Sequence, residues 1–106
     1  MKTEDFVSAW AREKDSFVQM FTNVDEECMV STLLKSMELS PQQQEIFTKL
    51  MDTALSDVFY ALLLGLDGAA SIGGTQHTFS ILGEGNLPIG ASGEIEAVAW
   101  RHFHSS

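Results

Sequence analysis

The sequence predicts an α+β fold with three N-terminal helices, a small antiparallel β-hairpin or three-stranded sheet, and one C-terminal helix. Two observations lead to this prediction. Apolar residues recur at spacings of three and four as far as Leu64, which is typical of amphipathic helices. Beyond the glycine-rich segment 65–74 they alternate in short runs bounded by Gly and Pro, which is typical of strands. The length of 106 residues favours a single globular domain over residues 1–106.

The first two helices are expected from about Thr3 to Phe21 and from about Asp25 to Glu38. Thr3 is a suitable N-cap for the first helix, and Asn23 or Asp25 is suitable for the second, because their side-chain oxygens accept from free backbone amides. Each helix carries one apolar face. The faces consist of Phe6, Val7, Trp10, Phe17, Val18 and Phe21 in the first helix, and of Met29 or Val30, Leu33, Leu34 and Met37 in the second.

The third helix is expected from Pro41 to Leu64. Ser40 is a preferred N-cap, and Pro41 suits the first helical position because its missing N–H would be unpaired there. The segment Val58–Leu64 is apolar on every side, so we expect it to be buried beneath the sheet at the centre of the fold. Gly65 suits the left-handed position that follows a helix C-terminus.

The C-terminal third is expected to hold the strands and the last helix. Residues 77–82 alternate as a strand, residues 83–86 form a turn, and residues 87–90 pair back as an edge, since Pro88 cannot donate to a ladder. The segment 69–72 is a candidate third strand. Ser92 is expected to begin the last helix. Its buried stripe consists of Ile95, Val98, Ala99 and Phe103.

The charge of the chain restricts its partners. There are 15 acids and 6 Lys or Arg, giving a formal net charge of −9. Such a chain repels polyanions, so neither nucleic acid nor an anionic membrane surface is an expected partner. The same charge would steer the protein toward a basic partner protein.

The expected location is the cytoplasm. The first residues include two acids where a signal peptide would carry bases and an apolar block. No apolar run approaches the roughly 20 residues that a membrane span requires. Cys28 is the only cysteine, so neither an internal disulfide nor a cysteine metal cluster is expected.

The glycine-rich segment 65–74 is a candidate site, although it fails the tests for known ligand loops. A phosphate loop would carry lysine where Gly74 stands. A calcium loop would need further oxygen ligands after Asp67, where apolar residues stand instead. No cofactor or metal is therefore expected, and Asp67 is expected to make a local side-chain-to-backbone turn.

Catalytic groups are scarce. Cys28 follows two glutamates, which are expected to raise the pKa of its thiol. No serine stands in a nucleophile elbow. We call the glycine-rich segment 65–74 the glycine hinge. Asp67, Ser71 and His77 are the polar residues that a site there would use. Trp100 is expected at the side of the buried stripe of the last helix, where it would anchor a partner or a second copy.

Three functions remain open. The first is a small acidic cytosolic protein without catalysis, an inhibitor or immunity-type protein that binds a basic partner protein. The second is a homo-oligomeric structural or regulatory module, for example a homodimer, built through the edge strand and Trp100 of the last helix. The third is a small enzyme with its site at the glycine hinge.

Overall fold

The computed structural model describes residues 1–23, 25–90 and 93–104. These residues form four α-helices and one two-stranded antiparallel sheet, which confirms the broad α+β class. They divide into two compact units, one of residues 1–11 with 57–106 and one of residues 12–56. The single domain stays a prediction. The elements are α1 (Thr3–Thr22), α2 (Met29–Ser36), α3 (Pro41–Leu66), β1 (Ile81–Leu82), β2 (Pro88–Ile89) and α4 (Glu94–His104).

The unit of residues 1–11 and 57–106 has a core made by three helices. Val7 of α1, Leu63 of α3, and Ile95 and Ala99 of α4 are almost fully buried and contact one another. Ile81 of β1 packs on this core, so the end of α3 and the sheet share it, as the sequence predicts. The other partly buried residues around the core are Phe6, Tyr60, Val98 and Phe103.

The apolar end of α3 is only partly buried, so the prediction for Val58–Leu64 was wrong in part. Leu63 is buried, whereas Val58 and Leu62 are about half exposed. A helix is buried on every side only when other elements surround it. Two short strands and two other helical segments, among the described residues of this unit, are too few to do so.

The end of α3 is capped by Gly68 and not by Gly65, which corrects the predicted cap. Gly68 has φ of +78°. Its N–H donates to the Gly65 carbonyl at 3.2 Å, and the Ala69 N–H donates to the Leu64 carbonyl at 3.0 Å. These two bonds are a Schellman motif. Gly65 is a buried helical residue, and a Cβ there would lie 2.7 Å from Cγ1 of Ile72. Glycine is required at this position because the Ile72 side chain packs against the helix backbone.

The sheet is a hairpin of two-residue strands. Ile81 pairs with Ile89 and Leu82 with Pro88, around a short turn over residues 83–87. The strands are therefore shorter than the predicted segments 77–82 and 87–90. The predicted strand at 69–72 contributes only an isolated bridge between Ile72 and Thr75, and in the described part of the chain it does not extend the sheet.

Thr3 is not the N-cap of α1, which corrects a second predicted cap. The first helical bond runs from the Phe6 N–H to the Lys2 carbonyl, so Lys2 occupies the cap position. The Thr3 hydroxyl instead donates to a Glu94 carboxylate oxygen at 2.7 Å and accepts from the Gly90 N–H at 3.0 Å. The start of α1 is thus tied to the residues around the start of α4. The predicted start of α4 at Ser92 lies outside the described residues.

The unit of residues 12–56 contains α2, with the last part of α1 and the first part of α3. Helix α2 begins at Met29, four residues later than predicted, with Cys28 as its N-cap in place of Asn23 or Asp25. The start of α3 confirms the prediction, because Ser40 and Gln43 form a capping box with bonds of 3.2 and 2.9 Å. Lys14, largely buried, pairs with Asp15 and Asp52, each at 2.7 Å.

Candidate functional site

Asp67 lies at the hinge but acts on α4, so the predicted local turn was wrong. Its Oδ2 accepts the Glu96 N–H at 3.1 Å, in the first turn of α4. A carboxylate there is favourable because the first amides of a helix have no partner within the helix. Oδ1 of Asp67 is buried and has no hydrogen-bond partner among the described residues. Asp67 also lines a cavity of about 360 Å³ together with Thr78 and Ser80.

Ser71 and His77 do not complete a catalytic arrangement with Asp67. Both are exposed, on a stretch of exposed residues from 71 to 80. The His77 ring lies 6.1 Å from the Phe79 ring, measured between centroids. Within the described ranges no hydrogen bond links the side chains of Asp67, Ser71 and His77. The hinge therefore offers a cavity lined by Asp67, Thr78 and Ser80, and in the described part of the chain no hydrogen bond joins Asp67 to a side-chain base or nucleophile.

Trp100 forms a small exposed aromatic cluster at the end of α4. Its side chain is 56% exposed. Its ring centroid lies 6.1 Å from that of Tyr60 and 4.6 Å from that of His104, and Tyr60 and His104 are 4.3 Å apart. These rings hold one another in place, so an exposed indole is presented on a supported surface. Such a group is suited to anchoring a partner.

Glu4 joins the start of α1 to the end of α4. It accepts from Arg101 at 2.9 Å and pairs with His102 at 2.7 Å. The hydrogen bond with His102, followed by the charge of Arg101, lowers the pKa of Glu4 against the effect of burial. These groups are bound to one another, so this is a structural contact between two helix ends.

Cys28 has a lowered pKa, which corrects the expectation from its acidic neighbours. The Ser31 hydroxyl lies 3.1 Å from Sγ, and the Ser31 N–H donates to Sγ at 3.4 Å. These bonds lower the pKa of the thiol, and the charge of Glu26 only partly opposes them. The thiol is half-buried and serves as the N-cap of α2.

The most open apolar surface of the unit of residues 12–56 lies on α2. Ser31 and Leu34 are buried and hold the helix on one side. The other side presents apolar residues spaced by four, of which Met29 is 83% and Leu33 is 63% exposed. We call this the α2 surface. It consists of the exposed residues Asp25, Glu26, Glu27, Met29, Leu33 and Met37.

The α2 surface borders a groove of about 810 Å³. Three carboxylates, those of Asp25, Glu26 and Glu27, lie at one end of it, and Lys35, the last residue but one of α2, lines it as well. Leu33 and Met37 were predicted on the apolar face of the second helix, and the sequence pattern did not indicate that this part of the face stays exposed. The signal was the width of the apolar arc, because an eight-residue helix with four apolar residues, followed by Met37, has more apolar surface than one contact covers.

Comparison of the chain with protein-family models, with curated proteins and with solved structures gives no match. None of the described helices is long and apolar enough to cross a lipid bilayer. In the described part of the chain, no three His, Cys, Asp or Glu side chains are grouped so that they could hold a metal ion.

Proposed function

We propose that the protein is a cytoplasmic, non-catalytic interaction protein of the inhibitor or immunity type that binds a basic partner protein. The observation that supports this function is the distribution of charge. All 15 acidic residues lie in the described ranges, and every one except Asp67 is exposed. Two of the six bases, Lys14 and Arg101, already pair with carboxylates of the same chain. The surface therefore carries a large excess of negative charge.

An exposed charge excess of this kind favours a basic partner mainly through the rate of association. Complementary potentials attract the partner over a distance of about one Debye length, which is about 10 Å at 0.1 M salt. Steering of this kind weakens steeply as ionic strength rises. Binding should consequently depend on salt, and it should depend on the number of exposed acids.

The test is affinity capture from a lysate of the native host, followed by mass spectrometry. The control is a variant in which five exposed glutamates become glutamine, none of which has an ion pair among the described residues: Glu13, Glu26, Glu27, Glu45 and Glu84. We expect the wild-type chain to retain a basic protein at about 50 mM salt and to release it at about 300 mM, because added salt shortens the Debye length and screens the attraction. The variant should retain much less of it.

The purified partner then provides the decisive measurement. Its dissociation constant should rise with salt for the wild-type chain and much less for the glutamine variant. Retention of only neutral or acidic proteins, or capture that is equal for the two chains, would show that the charge excess does not select the partner.

A homo-oligomeric module is the second candidate, and the exposed Trp100 favours it. An indole with 56% exposure on a supported aromatic cluster suits a symmetric contact. Among the described residues, the two-stranded sheet also leaves its outer edges unpaired. Light scattering after size-exclusion chromatography tests it. A dimer that Trp100→Ser converts to a monomer would support this function, whereas a monomeric wild-type chain at high concentration would end it.

A further inference from the structure

We infer that the α2 surface is the docking site for a basic amphipathic helix of the partner. This inference rests on the proposed function and adds the place and the shape of the contact. It names one occupant, a helix that lays its apolar face on Met29, Leu33 and Met37 and directs its bases toward the carboxylates at residues 25–27.

The apolar part of the surface has the dimensions of a helix contact. Met29, Leu33 and Met37 are spaced by four residues, so they form one stripe about 12 Å long on a helix that rises 1.5 Å per residue. That length matches about two turns of a second helix packed along it. Methionine is unbranched and polarisable, so it adapts to different apolar partners. All three side chains are exposed and leave the stripe uncovered.

The charges give the surface its preference for a basic occupant. Asp25, Glu26 and Glu27 are consecutive and exposed, and they line the same groove as Met29 and Leu33. Within the described ranges none of these carboxylates has an ion pair. Acids just before α2 also interact favourably with the helix dipole. That interaction alone would not require three consecutive acids, nor an exposed apolar stripe beside them.

The end near Lys35 sets the direction of the occupant. Lys35 lies on α2 two residues before Met37, so the groove is negative at its start and positive toward its end. A bound helix with bases at one end and a free carboxyl terminus or an acid at the other end would complement both ends. A purely apolar segment would fill the stripe and leave the carboxylates unused.

The test uses a synthetic probe and matched variants of the full chain. The probe is a peptide of about 18 residues, or about five helical turns, with Leu on one face and Lys on the other, fluorescein at its N-terminus and a free C-terminal carboxylate. A second peptide carries Glu in place of Lys. Binding is measured by fluorescence anisotropy at about 50 mM salt, where screening is weak.

The first pair of variants tests the apolar stripe. Leu33→Ser removes an apolar side chain that is 63% exposed, and Ile46→Ser removes one on α3 that is 67% exposed, so both should fold. Leu33→Ser should weaken peptide binding by at least about tenfold, because the leucine side chain would be buried when the peptide binds and such burial is strongly favourable. Ile46→Ser should leave the dissociation constant within about twofold, a change of less than 0.5 kcal/mol at 1.4 kcal/mol per tenfold.

The second pair of variants tests the position of the charges, because both variants carry the same net charge. Glu26→Gln with Glu27→Gln and Glu13→Gln with Glu45→Gln each remove two exposed carboxylates. Glu26→Gln with Glu27→Gln should weaken binding by about three- to tenfold at low salt, because both carboxylates line the groove. Glu13→Gln with Glu45→Gln should weaken it by less than about twofold, because neither residue lines the groove. Amide resonances that shift on titration should cluster in residues 25–37.

The outcomes separate this inference from the proposed function. No binding of the basic peptide, equal losses within a matched pair, or shifts outside residues 25–37 would overturn the inference. If the lysate experiment still retains a basic partner, the proposed function stands and its surface lies elsewhere. If no basic partner is retained, the proposed function fails whatever the peptide does.

Discussion

Gly90 should be the least replaceable glycine that the structure describes. It has φ of +73°, in the left-handed region that L side chains rarely adopt. An added Cβ would also overlap Cγ1 and Cδ1 of Ile95, a residue of the buried core. The neighbouring backbone is held as well, since the Gly90 N–H donates to Thr3 Oγ1. Neither the backbone nor the Ile95 side chain can readily move away.

Gly90→Ala should therefore destabilise the fold through two effects. The left-handed conformation costs about 1–2 kcal/mol for a non-glycine residue. Overpacking against a core side chain costs about 1–3 kcal/mol. We expect a loss of about 2–5 kcal/mol in the free energy of unfolding, reduced by about 0.4–1 kcal/mol because alanine restricts the unfolded chain.

Gly73→Ala is the matched control. Gly73 has φ of +60°, and no heavy atom lies within 4 Å of the position of an added Cβ, so only the conformational cost applies. Urea unfolding followed by tryptophan fluorescence measures both variants, because Trp10, Trp100, Gly73 and Gly90 belong to the same compact unit. Gly90→Ala should be less stable than Gly73→Ala by about 1–3 kcal/mol. Equal stabilities would refute the argument from the Ile95 contact.

Two further predictions follow from the shifted pKa values. Because its pKa is lowered from 4.5, ionised Glu4 contributes stability above about pH 4.5 that is lost as pH falls through the lower folded-state pKa. The gap in melting temperature between the wild-type chain and Glu4→Gln should thus be full at neutral pH and close under acid; a gap constant from pH 7 to about pH 3 would show that the contact with His102 does not depend on the charge of Glu4. Ser31→Ala should raise the pKa of Cys28 toward its ordinary value of 9.0, seen as a shift to higher pH in the rate of alkylation by iodoacetamide; an unshifted rate profile would mean that Ser31 does not stabilise the thiolate.

Elements fixed by neighbouring residues could be predicted from the sequence. The start of α3 is the best case, because Ser40, Pro41 and Gln43 contain the whole capping arrangement within four residues. The first helix and the hairpin followed from spacing and turn residues for the same reason. In each case the stabilising contact and the signal occupy the same short stretch of chain.

Features fixed by distant residues could not be predicted. Gly65 and Gly68 are both plausible caps of α3, and the choice depends on Ile72, which packs where a Gly65 side chain would stand. Asp67 carries the right side chain for a local turn, yet its partner is the amide of Glu96. The α2 surface was not predicted, because an apolar face on a helix indicates only that the face is suited to packing. It does not indicate whether the packing partner is another part of the same chain.

The bond from Asp67 to Glu96 makes the formation of α4 a long-range event. The two residues are 29 positions apart, and closing a loop of that length costs about 3 kcal/mol of chain entropy before any constant term. A hydrogen bond to a charged group returns about 1.5–3 kcal/mol, which does not exceed that cost. The contacts of Ile95 and Ala99 with Val7 and Leu63 must therefore form in the same step. The first turn of α4 consequently reports on cooperative folding, and its amide hydrogens should exchange with solvent at the same rate as those of the core.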